Sequence, residues 1–504
     1  MKVRVEKRLR GNDEPLDHDK HISYPAHIES LPNEILAEIF EAGVSISKGQ
    51  HGTLPFQCVI AGVNRLWRAV AISTPRLWSS ILFHCDIVGF DHLYLWIERS
   101  APCALDITIV IEPQLMFESN AALAIDQIIL HVDRWRRLTI KDISGHMVGS
   151  VIESLRTVSA PRLQHFDLSV PQDYGRFTST RDNIFTGGAI ALTSARIVGL
   201  CQVCTPPLVG LTALHFGGAC RASGSIRLTH DDFRDLLTAS PSLADLALEA
   251  LELRSSPGAS ASNVHIPSLR TLSLNFAYCE DSFVQIFALL SMPILKTLSL
   301  AHMTTKHMTF FALFSETDTL QYAALDTLKL FRCSTFREYS NEPPDKFFST
   351  FSSVAHLYLI STANFILEPT SSNRTQKIPW PNLKSVTILP EVLPDVIWTR
   401  KANGHPIATA YVPHECLLSD EISWACIRED VEILEVDNDS DSVQYPGGLD
   451  HCMEEVLEER HDYDDDDDYD RHERHAFYEQ SYGVDYDGSD DSELLEYWAV
   501  CGSD

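Results

Sequence analysis

The chain has 504 residues, 44% of them apolar, which is enough for a sizeable core and sets an expectation of roughly two to four domains or one long repeat array. Its formal net charge of −30, from 40 basic and 70 acidic residues, argues against non-specific nucleic-acid binding and against docking on an anionic membrane. No apolar stretch reaches the ~18 residues of a membrane span, and the twelve cysteines follow no disulfide spacing.

The first 24 residues are charged and aperiodic, and a flexible lead is expected there. "MKVRVEKRLRGNDEP" lacks the apolar centre of a secretory signal, so the expected location is intracellular, cytoplasmic and/or nuclear, with reduced thiols. Residues 25–85 form a compact helical pattern. Pro32 suits a first helical position, where its missing N–H costs nothing, and Ile35, Leu36, Ile39 and Phe40 then make one apolar stripe. A second helix is expected over "FQCVIAGVNRLWRAVAIS". It has one row of Val59, Val63, Leu66 and Val70 and another of Ile60, Trp67 and Ala71, and it ends before Pro75. "TPRLW" then brings in Trp78. So small a unit carries more apolar stripe than it can bury, which predicts that something else covers part of it.

From residue 86 to 439 the chain repeats the form apolar-x-x-apolar-x-apolar. It reads Leu163, Phe166, Leu168 in "PRLQHFDL"; Leu211, Leu214, Phe216 in "GLTALHF"; and Leu243, Leu246, Leu248 in "PSLADLAL". Next come Leu269, Leu272, Leu274 in "PSLRTLSL", Leu295, Leu298, Leu300 in "PILKTLSL", and Leu325, Leu328, Leu330 in "ALDTLKL". "SVAHLYL" supplies Val354, Leu357, Leu359, and "PNLKSVTI" supplies Leu383, Val386, Ile388. Weaker copies are "WRRLTI" (Trp135, Leu138, Ile140) and "VEILEV" (Val431, Leu434, Val436). From Leu211 to Leu383 the first positions are 32, 26, 26, 30, 29 and 29 residues apart. The last two apolar residues of each copy share one side of a short strand, which cannot cover its own apolar face; stacked copies form a parallel sheet over a continuous core. The intervals leave room for return helices. In "LTHDDFRDLLTASP" Thr229 is a cap, Asp232 stands at capping-box distance, and Phe233, Leu236 and Leu237 form the buried stripe. "DKFFSTFSS" is a shorter candidate.

Residues 440–504 are of another kind. From His451 to Asp504 there are 20 acidic and 3 basic residues, a net of −17, so more than half of the charge imbalance lies there and disorder is expected. Chemistry finds little to rest on. Cys201 and Cys204 have C-x-x-C spacing without a second pair, so buried thiols are expected rather than zinc. His472 and His475 read as part of a solvated charge run, and Asp462 to Asp470 lacks the glycine turn of a calcium loop. There is no P-loop, no dinucleotide fingerprint and no nucleophile elbow. No catalytic residue, metal or cofactor is expected.

Leu31-Pro32, Glu34, Ile39-Phe40, Val63 to Trp67 and Leu77-Trp78, in that order, resemble the F-box over roughly residues 25–82. The repeats resemble an irregular leucine-rich-repeat solenoid, and the pairing, with phrases such as "RWRRLTI" and "IFTGGAIALTSARIVGL", resembles fungal F-box-like proteins. The sequence departs from these patterns at Asn64, where many F-boxes have cysteine, and in the long first connection. It also departs after the strands, where the family usually has Asn or Cys: only Cys333 supplies it, against Ala219, Ala277 and Met303. The fold implied is α/β: a small three-helix F-box, a solenoid and a disordered acidic tail. The function implied is that of a non-catalytic substrate receptor in an SCF-type cullin–RING ubiquitin ligase. Leu31, Pro32, Ile35, Leu36, Ile39, Phe40 and Val63 would dock a Skp-family adaptor, and through it a cullin. Trp67 and Trp78 would hold the F-box core, and the repeats would bind a protein substrate. The alternative is a repeat scaffold that binds a protein without entering a ligase.

Overall fold

The computed structural model describes residues 28, 31–46, 55–84, 90–111, 118–141, 145–170, 182–200, 204–218, 226–254, 263–276, 282–304, 307, 310–311, 322–333, 345–360, 378–388, 393–413 and 427–436. The expectations for the lead and the acidic tail lie outside these residues, as do Cys201, His472 and His475. The described residues fall into two compact units, one up to Trp78 and one from Ser79 onward.

The first unit holds helices α1 (Asn33–Ile46), α2 (Phe56–Val63) and α3 (Arg65–Ile72), closed by a 3-10 turn at Pro75–Trp78. The single helix expected from Phe56 to Ser73 is therefore two. Asn64 breaks it in extended backbone, with φ −158° and ψ 175°, and its Oδ1 accepts a hydrogen bond from the Trp67 N–H at 2.8 Å. A short amide side chain at this place stabilises a new helix start better than it stabilises a helix interior.

The second unit is mixed α/β. Its strands are β1 (Ser80–His84), β2 (Leu105–Val110), β3 (Trp135–Lys141), β4 (His165–Ser169), β5 (Asp182–Asn183), β6 (Ser194–Val198) and β7 (Cys204–Thr205). They continue with β8 (Ala213–Gly217), β9 (Ile226–Thr229), β10 (Asp245–Glu249), β11 (Leu251–Arg254), β12 (Val264–His265), β13 (Thr271–Asn275) and β14 (Leu290–Ser291). The last six are β15 (Thr297–Ala301), β16 (Thr327–Phe331), β17 (His356–Ile360), β18 (Ser385–Thr387), β19 (Thr409–Pro413) and β20 (Glu432–Val436). Fourteen of these make one sheet that runs through the repeats in chain order from β1 to β20; β5 with β7, β9 with β11 and β12 with β14 form short separate pairs. Every described pairing is parallel, which requires a crossover between successive strands.

The leucine pattern sets the register. Leu214, Leu246, Leu272, Leu298, Leu328 and Leu357 are successive partners across the sheet, and Leu248, Leu274, Leu300, Leu330 and Leu359 form the row beside them. Leu272, Leu274, Leu298 and Leu300 are each fully buried. Behind the later strands the core is aromatic: Phe311 packs edge-on against Phe347 and Phe351, with ring centroids 5.1 and 5.3 Å apart.

Two kinds of polar detail hold neighbouring repeats together. The Ser268 hydroxyl donates toward the Pro241 and Leu243 carbonyls (3.0 and 2.7 Å), and Ser353 does the same toward Tyr322 and Leu325 (3.1 and 2.7 Å). Where the chain leaves a strand it often turns through the left-handed region, at Gly199, Ala250, His302 and Arg332 (φ 82°, 43°, 57° and 47°). Gly199 is required there, since a Cβ would lie 2.0 Å from the Val170 carbonyl oxygen. Cys333 is buried, with Sγ 3.6 Å from the Phe331 carbonyl oxygen and 4.0 Å from that of Leu300.

Return helices follow local chemistry. Helices α4 (Asp91–Arg99), α5 (Glu118–Ile129), α6 (Gly145–Arg156), α7 (His230–Thr238) and α8 (Ser282–Leu289) are joined by two more, Asp345–Thr350 and Leu393–Ala402. Helix α7 starts in a complete capping box between Thr229 and Asp232 and buries Phe233, Leu236 and Leu237. From the last helix Arg400, 1% exposed, donates to the Pro379 and Trp380 carbonyls at 2.8 and 2.9 Å, and burial lowers its pKa to about 10.

Two repeat readings need correction. The copy assigned to Val431, Leu434 and Val436 is one residue out of phase: Ile433 pairs with the buried Ala410, whereas Leu434 pairs with Tyr411 on the other face and is 39% exposed. Two further copies were hidden because alanine stands at the middle position, at Leu192, Ala195, Ile197 and at Ile407, Ala410, Val412, all of them buried.

Replacing Leu272 or Leu298 by alanine should destabilise the second unit by about 2–5 kcal/mol in denaturant titrations; a loss below about 0.5 kcal/mol at both would contradict this register. Gly199→Ala should cost about 1–3 kcal/mol from backbone strain alone, read as a lowered midpoint with an unchanged slope.

Candidate functional site

In the helical unit, Pro32 precedes α1 rather than opening it: its carbonyl accepts from the Ile35 and Leu36 N–H groups at 3.0 and 3.1 Å, the part of an N-cap residue. Glu34 lies in the first turn, where a negative charge complements the helix dipole. The stripe expected on α1 divides in two. Leu36 and Phe40 are buried (0% and 1% exposed) and belong to the core, so they are not available as contact residues. Ile35 and Ile39 are 42% and 43% exposed, Pro32 is exposed, and Leu31 is half-buried.

The apolar row read along the second helix divides likewise. Val70 is buried, but Val59, Val63 and Leu66 are 43%, 54% and 37% exposed. The break at Asn64 is the physical reason, because it ends the single helical phase on which that row depended. Trp67 is half-buried, its ring tilted against Phe40 at 5.0 Å between centroids, while Trp78 is fully buried and donates from Nε1 to the Ala71 carbonyl at 2.8 Å. Arg68 Nε donates to the Ala61 carbonyl at 3.0 Å and so satisfies a free carbonyl near the end of α2.

Six of the fifteen large apolar side chains exposed among the described residues, Ile28, Ile35, Ile39, Val59, Val63 and Leu66, belong to this small unit. Covering the remaining area of each is worth on the order of 1 kcal/mol. The geometry therefore offers apolar anchors on helices whose inner faces are already packed. Sequence reading missed Val59 and Leu66 as exposed residues; the asparagine before "RLW" was the signal that the helical phase restarts.

The second unit presents the sheet face opposite the leucine rows. Its side chains come mainly from the position between the last two apolar residues of each repeat, which the repeat form leaves unspecified, and from the positions that flank them. At one end it is laced with charge. Arg136 makes two hydrogen bonds to Asp106 (2.8 and 2.6 Å), and Arg196 reaches Asp167 at 3.2 Å and donates from Nε to His215 Nδ1 at 3.2 Å. That bond leaves the His215 hydrogen on Nε2, which faces the buried Glu249 at 3.5 Å. Gly217 makes room for Glu249, whose Cβ would lie 2.7 Å from any Cβ placed there. Toward the other end the same row reads Lys329, Tyr358, Thr387, Tyr411.

Among the described residues no group of three or more His, Cys, Asp or Glu side chains could hold a metal ion, and no helix is long and apolar enough to cross a membrane. Cys204 is buried, 2% exposed. The chain matches no protein-family model, and comparison with curated proteins finds no match.

Asn64→Ala should lower the stability of the helical unit by about 0.5–2 kcal/mol through loss of the cap, measured as a shift of its thermal transition by circular dichroism, whereas Asn64→Asp should retain most of it. Equal loss in both variants would mean that the cap is not what Asn64 contributes.

Proposed function

We propose that this chain is a substrate-receptor subunit of an SCF-type ubiquitin ligase. In this reading the helical unit is an F-box that docks a Skp-family adaptor and through it a cullin, and the repeats form a leucine-rich-repeat solenoid that holds a protein substrate. The observation that carries the proposal is the concentration of half-exposed apolar side chains on α1 and α2, at and beside the positions where the F-box resemblance places its contacts. Leu31, Pro32, Ile35, Ile39 and Val63 are the anchors, while Leu36, Phe40, Trp67 and Trp78 keep the helices in place. The chain contributes proximity between substrate and a ubiquitin-loaded enzyme and makes or breaks no bond itself. It acts within the cytoplasm or nucleus, where its thiols stay reduced.

Exposure makes the test selective. Ile35→Asp with Ile39→Asp should leave the melting of the helical unit nearly unchanged, since both side chains already face water in part, but should remove adaptor capture, central apolar anchors being worth about 2 kcal/mol or more each. Calorimetry with purified adaptor gives the answer. Micromolar or tighter binding by the wild type that disappears in the double variant supports the ligase reading. No wild-type binding leaves a repeat scaffold in its place.

A further inference from the structure

The middle of the polar sheet face holds a pit. On β10 the residues Asp245, Ala247 and Glu249 alternate with the core leucines Leu246 and Leu248 and so share the polar face. Register places His215 of β8 on one side of Ala247 and Ser273 of β13 on the other. Strands β8 and β13 are two strand spacings apart, about 10 Å at the backbone. Between them Ala247 raises only a methyl group, which leaves room for one side chain above it.

Glu249 is the group at this place whose polar atoms are not satisfied. It is 3% exposed, and its Oε1 is buried without a hydrogen-bond partner. Its Oε2 lies 3.5 Å from His215 Nε2, longer than the about 2.7–3.2 Å of an N–H···O hydrogen bond, and Nε2 is left without a partner as well. His215 stands beside Ala247, so a carboxylate this close to its ring is turned back toward the pit. Arg196 is engaged one strand further on, with Asp167 and with His215 Nδ1, both at 3.2 Å. A carboxylate held out of water without its hydrogen bonds costs free energy until a donor satisfies it. Asp245, at the other end of the same three residues, is exposed and marks the mouth of the pit.

The donor that fits is a cation carried on a side chain. Asp245 and Glu249 are four residues apart on β10, about 13 Å at the backbone, so a basic side chain entering over Ala247 lies between two carboxylates with the Ser273 hydroxyl beside it. A metal ion needs a third ligand, which this place lacks among the described residues. We propose that the pit over Ala247 binds a lysine or arginine side chain of a partner peptide, with Glu249 at the floor and Asp245 at the mouth taking the cation. The inference rests on reading the polar sheet face as the protein-binding surface. The net charge of −30 draws a basic partner from a distance; the pit decides which of its side chains is held.

The test is selection of a random dodecamer phage library on the full-length protein, at about 0.5 M salt, where a screening length of about 4 Å suppresses attraction to acidic residues at large. Anisotropy then compares the best peptide with its neutral counterpart, citrulline in place of arginine or norleucine in place of lysine. The expected result is an enriched Lys or Arg at a fixed position, with about a tenfold or larger loss of affinity on neutralising it, the scale of one charge-assisted hydrogen bond. Glu249→Gln and Asp245→Asn should each weaken the basic peptide and shrink its advantage over the neutral one. Asp245 is exposed, so Asp245→Asn tests the pit even where Glu249→Gln disturbs folding. Ala247→Leu, which fills the pit, should remove the advantage altogether. No binder, or enrichment of acidic or apolar residues in place of basic ones, overturns the proposal. So does an advantage as large in Asp245→Asn and Ala247→Leu as in the wild type, which would assign the peptide to acidic residues elsewhere, such as those from 451 to 504. Adaptor capture is measured on the same samples: peptide selectivity absent with capture retained counts against the pit alone, and capture absent with selectivity retained counts against the ligase reading alone.

Discussion

The inability of a five-residue strand to cover its own leucines is the constraint on which the second unit depends. Each strand buries two side chains on one face only because the strands before and after it place theirs at the same height, as Leu246, Leu272, Leu298 and Leu328 do. Dispersion and burial reward this stacking, and parallel pairing follows because each return segment carries the chain back to the same edge. The free face is then open to variation, since the residue between two leucines adds little to the core. That separation lets one set of residues hold the fold while another, including Arg196, Glu249, Tyr358 and Tyr411, gives each region of the face its own chemistry.

The same constraint tolerates irregularity where something else supplies the contact. Ala195 and Ala410 hold leucine positions and are fully or nearly fully buried. Repeat lengths vary because the returns differ: that before β10 carries α7, whereas that before β13 carries the short strands β11 and β12 and the Ser268 staple. Left-handed residues such as Ala250 and His302 make the exit bend where glycine is absent, at a cost in backbone strain that the flanking ladder outweighs. The helical unit obeys a different rule. Its inner face is closed by Leu36, Phe40 and Trp78, and its outer apolar residues exceed what three short helices can bury.

Much of this was legible in the sequence because the signals were short-range and repeated. The phase of eight repeats and the cap at Thr229 follow from spacing alone, whereas the place of Trp78 in the core came from the F-box resemblance. What was not legible depended on single residues acting against a pattern. Asn64 restarts a helix that periodicity had run straight through, and Pro32 caps a helix it was expected to open. The "VEILEV" copy invited a slip because valine, isoleucine and leucine alternate there in either phase, and only the pairing of Ile433 with Ala410 decides. The row of Lys329, Tyr358, Thr387 and Tyr411 was invisible because these residues are spread over more than eighty positions and meet only through the register.

The central claim is that the helical unit uses its outer apolar row, rather than any other exposed side chain, to join an adaptor. Photo-crosslinking tests this most directly, with a benzophenone amino acid placed at Ile39 in one protein and at Trp398, which is 48% exposed in the second unit, in another. Incubated with purified Skp-family adaptor and irradiated, the protein labelled at position 39 should form the covalent pair and the one labelled at 398 should not. No crosslink from position 39, or equal crosslinking from both positions, would contradict the account.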